Sequence, residues 1–77
     1  MNPVSEIRRI ISENLRVPAS TIQPDSKASE LPNWDSLNHL TIVMQIEQTF
    51  GMHFDLEEIG ELNSVDKIVK AVEKRQL

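Results

Sequence analysis

Apolar residues recur every three or four positions in three segments of this chain, and no segment alternates apolar and polar residues as a half-buried strand would. This spacing places apolar side chains on one face of an α-helix. A stretch with three prolines, residues 16–35, separates the first segment from the second and predicts a loop. The chain is therefore predicted to be all-α: a small helical bundle of three main helices plus one short helix, with a long loop between the first and second helices.

The first helix is predicted to begin at Asn2 and Pro3, which suit an N-cap and a first helical position. It should end before Pro18, because the residue preceding a proline avoids the helical region. Its apolar face consists of Val4, Ile7, Ile10, Ile11 and Leu15. The loop that follows is long for so small a chain, and such loops are often functional. Its apolar residues, which we expect to contact the core, are Val17, Ile22, Ala28 and Leu31.

The second helix is predicted to span residues 36–50, because Asp35 is a good N-cap and Gly51 suits the left-handed position that ends a helix. We expect Leu40, in the middle of its apolar arc, to lie in the core. The whole arc consists of Leu37, Leu40, Val43, Met44, Ile46 and Phe50. The opposite face carries only uncharged polar residues.

Glu47 is the one acidic residue of the second helix, and it projects onto the apolar side. Either it pairs with Arg8 or Arg9, or it reaches solvent at the edge of the bundle. The edge position is favoured, because unpaired carboxylates are rarely buried.

A short third helix and a longer last helix are predicted for the C-terminal part. Asp55, with Glu58 three residues later, has the arrangement of a capping box, and Gly60 limits this helix to one or two turns. Ser64 caps the last helix. Its buried stripe is predicted to consist of Val65, Ile68, Val69 and Val72.

The 77 residues are expected to form a single domain, residues 1–77, and include no cysteine. Such a domain buries about 60% of its unfolded surface, which leaves no room for a deep active site. Disulfides and thiolate chemistry of the chain itself are excluded. The longest apolar run, residues 42–44, is too short for a membrane span or a signal peptide. We therefore expect a cytoplasmic monomer that does not contact membranes.

Charge is divided unevenly along the chain. Residues 28–66 hold eight acidic residues and no lysine or arginine, whereas the rest of the chain holds four acidic and eight basic residues. An acidic middle repels nucleic acid and suits partners with basic patches. Solubility alone explains such a balance equally well.

Ser36 is predicted to be the first residue of the second helix, directly after the N-cap Asp35. A hydroxyl there is exposed beside unpaired backbone N–H groups and the positive end of the helix dipole, a place that tolerates an added phosphate. The run Asp35-Ser36-Leu37 at a helix start resembles the attachment site of acyl carrier proteins. Further matches are Glu47 with Phe50, the acidic third helix, and Ser64-Val65 at the start of the last helix.

The resemblance implies that Ser36 carries 4'-phosphopantetheine, transferred from coenzyme A by a magnesium-dependent phosphopantetheinyl transferase. The chain would then be a non-catalytic carrier that holds acyl or aminoacyl groups as thioesters for loading and processing enzymes. Residues implied in recognition by the transferase and other partners are Asp35, Leu37, Glu57 and Glu58. An acyl cleft between the second and third helices is implied at Leu40, Met44, Ile46, Ile59 and Leu62, although ordinary core packing predicts the same spacing.

The chain departs from the fatty-acid carrier pattern on the second helix. Asn38, Thr41 and Gln48 stand where those carriers commonly have acidic residues, and Trp34 precedes the Asp-Ser-Leu run. These features favour a specialised pathway, of polyketide, nonribosomal peptide or cell-surface modification type. Electrostatic steering by basic partners should be weaker on this helix.

An alternative function is an acidic helical interaction module without a prosthetic group. An enzyme is not indicated, because the chain has no glycine-rich phosphate loop, zinc motif or catalytic triad. Trp34 is interpreted as an anchor of the loop rather than a partner contact. His39 is interpreted as a solvated helix residue rather than a contact of the phosphate, and His53 has no companion at metal-ligand spacing.

Overall fold

Four α-helices lie within residues 3–76, the part of the chain that this computed structural model describes. They are α1 (Pro3–Leu15), α2 (Ser36–Phe50), α3 (Leu56–Glu61) and α4 (Val65–Gln76). Two short 3₁₀ turns, Ala19–Thr21 and Ala28–Glu30, lie in the connection between α1 and α2. The predicted all-α bundle of three main helices and one short helix is confirmed. The cap predicted at Asn2 lies outside the described residues.

The core forms where α1 packs against both α2 and α4. The apolar face of α1 is almost completely buried between these two helices, because its residues recur at the helical period. The fully buried large side chains are Ile7, Ile10, Ile11, Leu15, Ile22, Ile42, Val43, Ile46, Val65, Ile68 and Val72. The predicted stripe of α4 is confirmed, with Val69 packed at its margin.

The apolar arc of α2 is wider than the surface that its neighbours cover. Ile42, Val43 and Ile46 are buried, but Leu37, Leu40 and Met44 are 74%, 49% and 57% exposed. The expectation that Leu40 lies in the core is therefore wrong. Since α1 packs on one side of α2, apolar residues beyond that side remain on the surface. They form an exposed apolar row that begins beside Ser36.

The predicted helix ends are confirmed by their hydrogen bonds. The Asp35 carboxylate accepts a hydrogen bond from the Asn38 backbone N–H at 2.8 Å, and Gly51 ends α2 with φ of 62°. The Ser64 hydroxyl accepts one from the Lys67 backbone N–H at 3.2 Å. Glu58 reaches back to the Asp55 backbone N–H at 3.4 Å, as a capping box requires. Each contact satisfies a backbone group that the helix itself leaves unpaired.

Glu47 adopts neither of the two positions considered from the sequence. Its side chain is only 17% exposed, so the favoured edge position is wrong. Its Oε2 accepts a hydrogen bond from the Phe54 backbone N–H at 2.8 Å. The carboxylate therefore fixes the connection between α2 and α3, and a backbone donor takes the place of the arginine.

The loop between α1 and α2 is attached to the bundle at several points. Ile22 and Leu31 are buried, and Val17 packs against the core, as predicted. Ala28, which is half-buried, donates its backbone N–H to the Asn63 carbonyl at 2.8 Å, and Val65 donates to the Ser26 carbonyl at 2.9 Å. These bonds join the loop to the junction of α3 and α4.

We expect Ile68→Ala to lower the free energy of unfolding by about 2–5 kcal/mol, because Ile68 is completely buried and its loss leaves a cavity. Leu40→Ala, the matched exposed-site variant, should cost less than about 1 kcal/mol, since half of this side chain is already in water. Urea unfolding followed by circular dichroism measures both. Equal losses in the two variants would contradict the assigned core.

Candidate functional site

Ser36 is the first residue of α2, and its side chain is exposed. Within residues 3–76 its hydroxyl has no hydrogen-bond partner. The first backbone N–H groups of a helix and its dipole create a positive potential at this end. The hydroxyl is therefore free to react, in a place that favours a negatively charged substituent.

The residues before Ser36 are held rigidly by Asn33. Asn33 has a positive φ of 67°, a conformation that asparagine tolerates better than most residues. Its side-chain amide donates to the Leu15 carbonyl at the end of α1 at 2.9 Å. Its own carbonyl accepts from the Asn38 side chain at 2.8 Å and from the Asp35 backbone N–H at 3.0 Å. The start of α2 is thus fixed to α1 as well as to its own first turn.

Trp34 and His39 connect this segment to α3. The Trp34 indole N–H donates to His39 Nδ1 at 2.9 Å, and His39 Nε2 lies 2.8 Å from the Ile59 carbonyl oxygen. Trp34 packs against the core, which confirms its role as an anchor of the loop. The interpretation of His39 as a solvated residue is wrong, because its half-buried ring bridges two other parts of the fold.

A groove of about 670 Å³ lies between α2 and α3 and opens beside Ser36. Its lining includes Trp34, Ser36, His39, Leu40, Leu56 and Ile59. Leu56 is 85% exposed, so this wall is apolar and open to solvent. A free hydroxyl next to an open apolar groove fits a covalently attached arm of mixed polar and apolar character.

The five residues considered for an acyl cleft do not lie together. Leu40 and Ile59 line the groove beside Ser36. Met44 lies on a separate surface depression near Met52. Ile46 and Leu62 are buried in the core.

The four residues considered for partner recognition differ in how available they are. Asp35, Leu37 and Glu57 are exposed. Glu58 is half-buried and receives two hydrogen bonds from Arg75, one of them from Nη1 at 3.1 Å. The hydrogen bond from Arg75 holds the pKa of Glu58 below its ordinary value, although partial burial acts in the opposite direction. Glu58 is therefore already paired within the fold.

Two further structural findings bear on the site. In the part of the chain that is described, no group of three or more histidine, cysteine, aspartate or glutamate side chains is arranged to hold a metal ion. No helix between residues 3 and 76 has the length and apolar character needed to span a membrane.

Comparison of the sequence with known proteins identifies the family of this chain. The family model of the phosphopantetheine attachment site matches residues 5–72. This chain belongs to the acyl carrier protein family. It is 29% identical over 73 residues to the acyl carrier protein of Helicobacter hepaticus, covering 95% of this chain and 96% of that protein. Identity to the acyl carrier protein of Thermotoga maritima is 32% over 71 residues, or 92% and 88% of the two chains. The acyl carrier protein of Solidesulfovibrio magneticus is 26% identical over 76 residues, or 99% and 97%.

Membership of this family establishes the general function. The chain is a non-catalytic carrier that bears a covalently attached 4'-phosphopantetheine arm and interacts with phosphopantetheinyl transferase and with biosynthetic enzymes. An interaction module without a prosthetic group is not favoured by these matches.

Three features of this carrier's site were not predicted. The positive φ of Asn33 and the bridging position of His39 depend on contacts with α1 and α3, which local spacing does not indicate. The exposure of Leu56 could have been predicted, because it directly follows the N-cap of a helix too short to have a buried face.

The Arg75–Glu58 contact predicts a loss of stability in acid. Because the folded-state pKa of Glu58 is lowered, its contribution is complete above the ordinary glutamate pKa and disappears as the pH falls through the folded-state value. Glu58→Gln should therefore make the free energy of unfolding less sensitive to pH in this acidic window. Urea unfolding at a series of pH values measures the effect.

Glu61→Gln is the matched control, since Glu61 is exposed in the same helix and has no ion-pair partner within residues 3–76. If Glu58→Gln leaves the pH dependence of the free energy of unfolding unchanged, the Arg75–Glu58 contact does not stabilise the fold.

Proposed function

We propose that the Ser36 hydroxyl is the attachment point of the 4'-phosphopantetheine arm. The observation that supports this assignment is an exposed serine with an unpaired hydroxyl at the first position of α2. The fixed backbone before it and the open apolar groove beside it add support. The arm would then leave the protein between α2 and α3.

Transfer of the arm requires a nucleophilic hydroxyl and a base supplied by the transferase. Ser36 Oγ attacks the phosphorus that carries pantetheine in coenzyme A, with magnesium bound by the transferase. The Oγ–P bond forms and the pyrophosphate P–O bond breaks. The hydroxyl proton passes to the base, and adenosine 3',5'-bisphosphate leaves. This carrier contributes the positioned hydroxyl and the positive end of α2 beside the new phosphodiester.

When bound, 4'-phosphopantetheine supplies a terminal thiol on a flexible arm, which holds an acyl or aminoacyl group as a thioester. The protein contributes a fixed origin for that arm, because Asn33 and Asp35 immobilise the start of α2. A tether of limited length from a fixed point gives its cargo a high effective concentration at a docked enzyme.

Co-expression with a broad-specificity phosphopantetheinyl transferase should add the mass of one phosphopantetheine to the intact protein. Ser36→Ala should abolish the addition without loss of helical content, because the side chain is exposed and makes no contact that stabilises the fold. Intact mass spectrometry and circular dichroism measure the two effects. An adduct that survives Ser36→Ala would refute the assignment.

Three control variants distinguish the attachment site from its surroundings. Ser5 is also exposed in the first turn of a helix, so Ser5→Ala should load as the wild type does. Asp35→Asn retains an oxygen that can cap α2, whereas Asp35→Ala removes it at a cost of about 0.5–2 kcal/mol. A loading defect in Asp35→Asn therefore reports the lost charge, and an additional defect in Asp35→Ala reports the lost cap.

We further propose that partner enzymes approach the exposed apolar row of α2, Leu37, Leu40 and Met44. The exposed face of this helix carries no charge, because its one acidic residue, Glu47, is turned toward the Phe54 backbone. Exposed apolar side chains next to a reactive site are typical of an interaction surface. Contact with such a surface depends on burial of apolar area rather than on ion pairs.

Leu37→Ala should therefore raise the transferase KM for this carrier more than Glu57→Gln does, although both side chains are exposed. Leu37 offers apolar area beside Ser36, whereas an exposed charge contributes little to affinity after screening. Steady-state kinetics with the unmodified carrier as substrate measures the difference. A larger effect of Glu57→Gln would show that charge dominates recognition.

The polar, uncharged face of α2 also supports a specialised pathway of polyketide, nonribosomal peptide or cell-surface modification type. Single-domain organisation, a monomeric state and a cytoplasmic location remain predictions. Mass spectrometry of the protein from its native cell would identify the cargo and, with it, the class of pathway.

A further inference from the structure

His39 makes two hydrogen bonds that join three parts of the fold. Its Nδ1 is 2.9 Å from the indole Nε1 of Trp34, in the loop before Ser36. Its Nε2 is 2.8 Å from the carbonyl oxygen of Ile59, in α3. His39 itself lies in α2, one turn after Ser36.

The chemistry of the two partners fixes the state of the imidazole ring. An indole N–H can only donate, so Nδ1 must accept and carries no proton. A carbonyl oxygen can only accept, so Nε2 must carry the proton. The contacts are therefore satisfied together only by the neutral Nε2–H tautomer.

α3 depends on such contacts more than the other helices do. None of its six residues is fully buried, and its own apolar contact with the core is limited to the half-buried Ile59, with the buried Leu62 directly after its last residue. The polar contacts that attach it to other helices within the described chain include the Arg75–Glu58 pair and the His39–Ile59 hydrogen bond. The second of these spans the groove between α2 and α3.

The groove and the core are separate compartments in this arrangement. His39 and Ile59 both line the groove beside Ser36. Ile46 and Leu62 are buried and do not line it. An apolar cargo tethered at Ser36 would gain by reaching this buried region, because burial of hydrocarbon is favourable. To pass between α2 and α3 it would have to separate His39 from the Ile59 carbonyl and leave the Nε2–H donor of the half-buried His39 unpaired, while the carbonyl would keep only its bond from the Leu62 backbone N–H at 3.3 Å.

We propose that His39 is a positioning residue that holds α3 and Trp34 against α2 and so keeps the cargo of the arm outside the core. The part of this proposal that concerns the cargo rests on Ser36 being the attachment point of the arm. The carrier then presents short or polar acyl and aminoacyl groups in solvent, and it gives a longer alkyl chain no shelter from solvent beyond the open groove.

The first test uses the unmodified protein and does not depend on loading. Nitrogen-15 NMR of the imidazole rings at neutral pH should show His39 with a proton on Nε2 and none on Nδ1. Trp34→Phe removes the indole donor and retains an aromatic ring. It should change the Nδ1 resonance of His39 while leaving His53, which is exposed, unaffected. A proton on Nδ1 of His39 in the wild type would overturn the proposal.

The second test compares a short and a long cargo. The transferase would load the carrier from acetyl-coenzyme A or from octanoyl-coenzyme A, and cleavage of each thioester by hydroxylamine would be timed. In the wild type the two thioesters should be cleaved at similar rates, and the methyl resonances of Leu62 should not change with chain length. In His39→Ala the octanoyl thioester should be cleaved several-fold more slowly than the acetyl thioester, and the Leu62 methyl resonances should shift.

Two variants make this result specific. His39→Gln retains an N–H donor of similar reach toward the Ile59 carbonyl and should behave as the wild type. Gln48→Ala alters an exposed residue of α2 that does not line the groove, and it should have no effect. Protection of the octanoyl thioester in the wild type, or equally in His39→Gln and His39→Ala, would overturn the proposal. Intact mass of the same samples shows whether Ser36 was loaded, so failure of the attachment site is recognised separately.

Discussion

The hydrogen bonds at the start of α2 are the constraint on which the rest of this carrier depends. A loop of about twenty residues, with its large conformational entropy, leads directly into Ser36, the proposed attachment point. Asn33 joins that loop to the end of α1, and the Asp35 carboxylate closes the first turn of α2. Because both contacts lie within three residues of Ser36, the backbone that carries the hydroxyl has a defined position relative to the bundle. A carrier whose partners must all find the same atom requires such a fixed point.

The helices around Ser36 are held in place by different kinds of contact. α1 is held by nearly complete burial of its apolar face between α2 and α4. α3 has no fully buried residue, so its place depends on the packing of Ile59 and of the adjacent Leu62 and on side-chain contacts with Arg75 and His39. Elements with few buried apolar groups open at lower free energy than the core does. α3, which forms one wall of the groove, is therefore the helix whose position should change most easily when one of these polar contacts is lost.

The difference between local rules and contacts with distant elements explains what can be predicted from the sequence. The helices and their caps follow from local rules, and Asp35, Gly51 and Ser64 occupy the positions that those rules assign. Burial on α2 is predicted less well, because Leu40 is apolar and correctly spaced but lines an open groove in which α3 covers it only in part. The position of His39 could not be predicted, since its partner is a backbone carbonyl twenty residues away. Periodicity shows which side of a helix is apolar, but the neighbouring elements decide how much of that side is covered.

The formal charge of the middle of the chain overstates how acidic its exposed surface is. Of the acidic residues in the middle of the chain, Glu47 is turned toward the Phe54 backbone and Glu58 is paired with Arg75. Neither carboxylate is free to attract a basic enzyme, and the exposed side of α2 between Ser36 and Gly51 carries none. Long-range attraction by the remaining acidic residues is screened within about 10 Å at moderate salt. On the proposed interaction surface, discrimination between partners would therefore depend mainly on short-range fit to the apolar row beside Ser36, whose shape is set by the packing of α2 and by the position of α3.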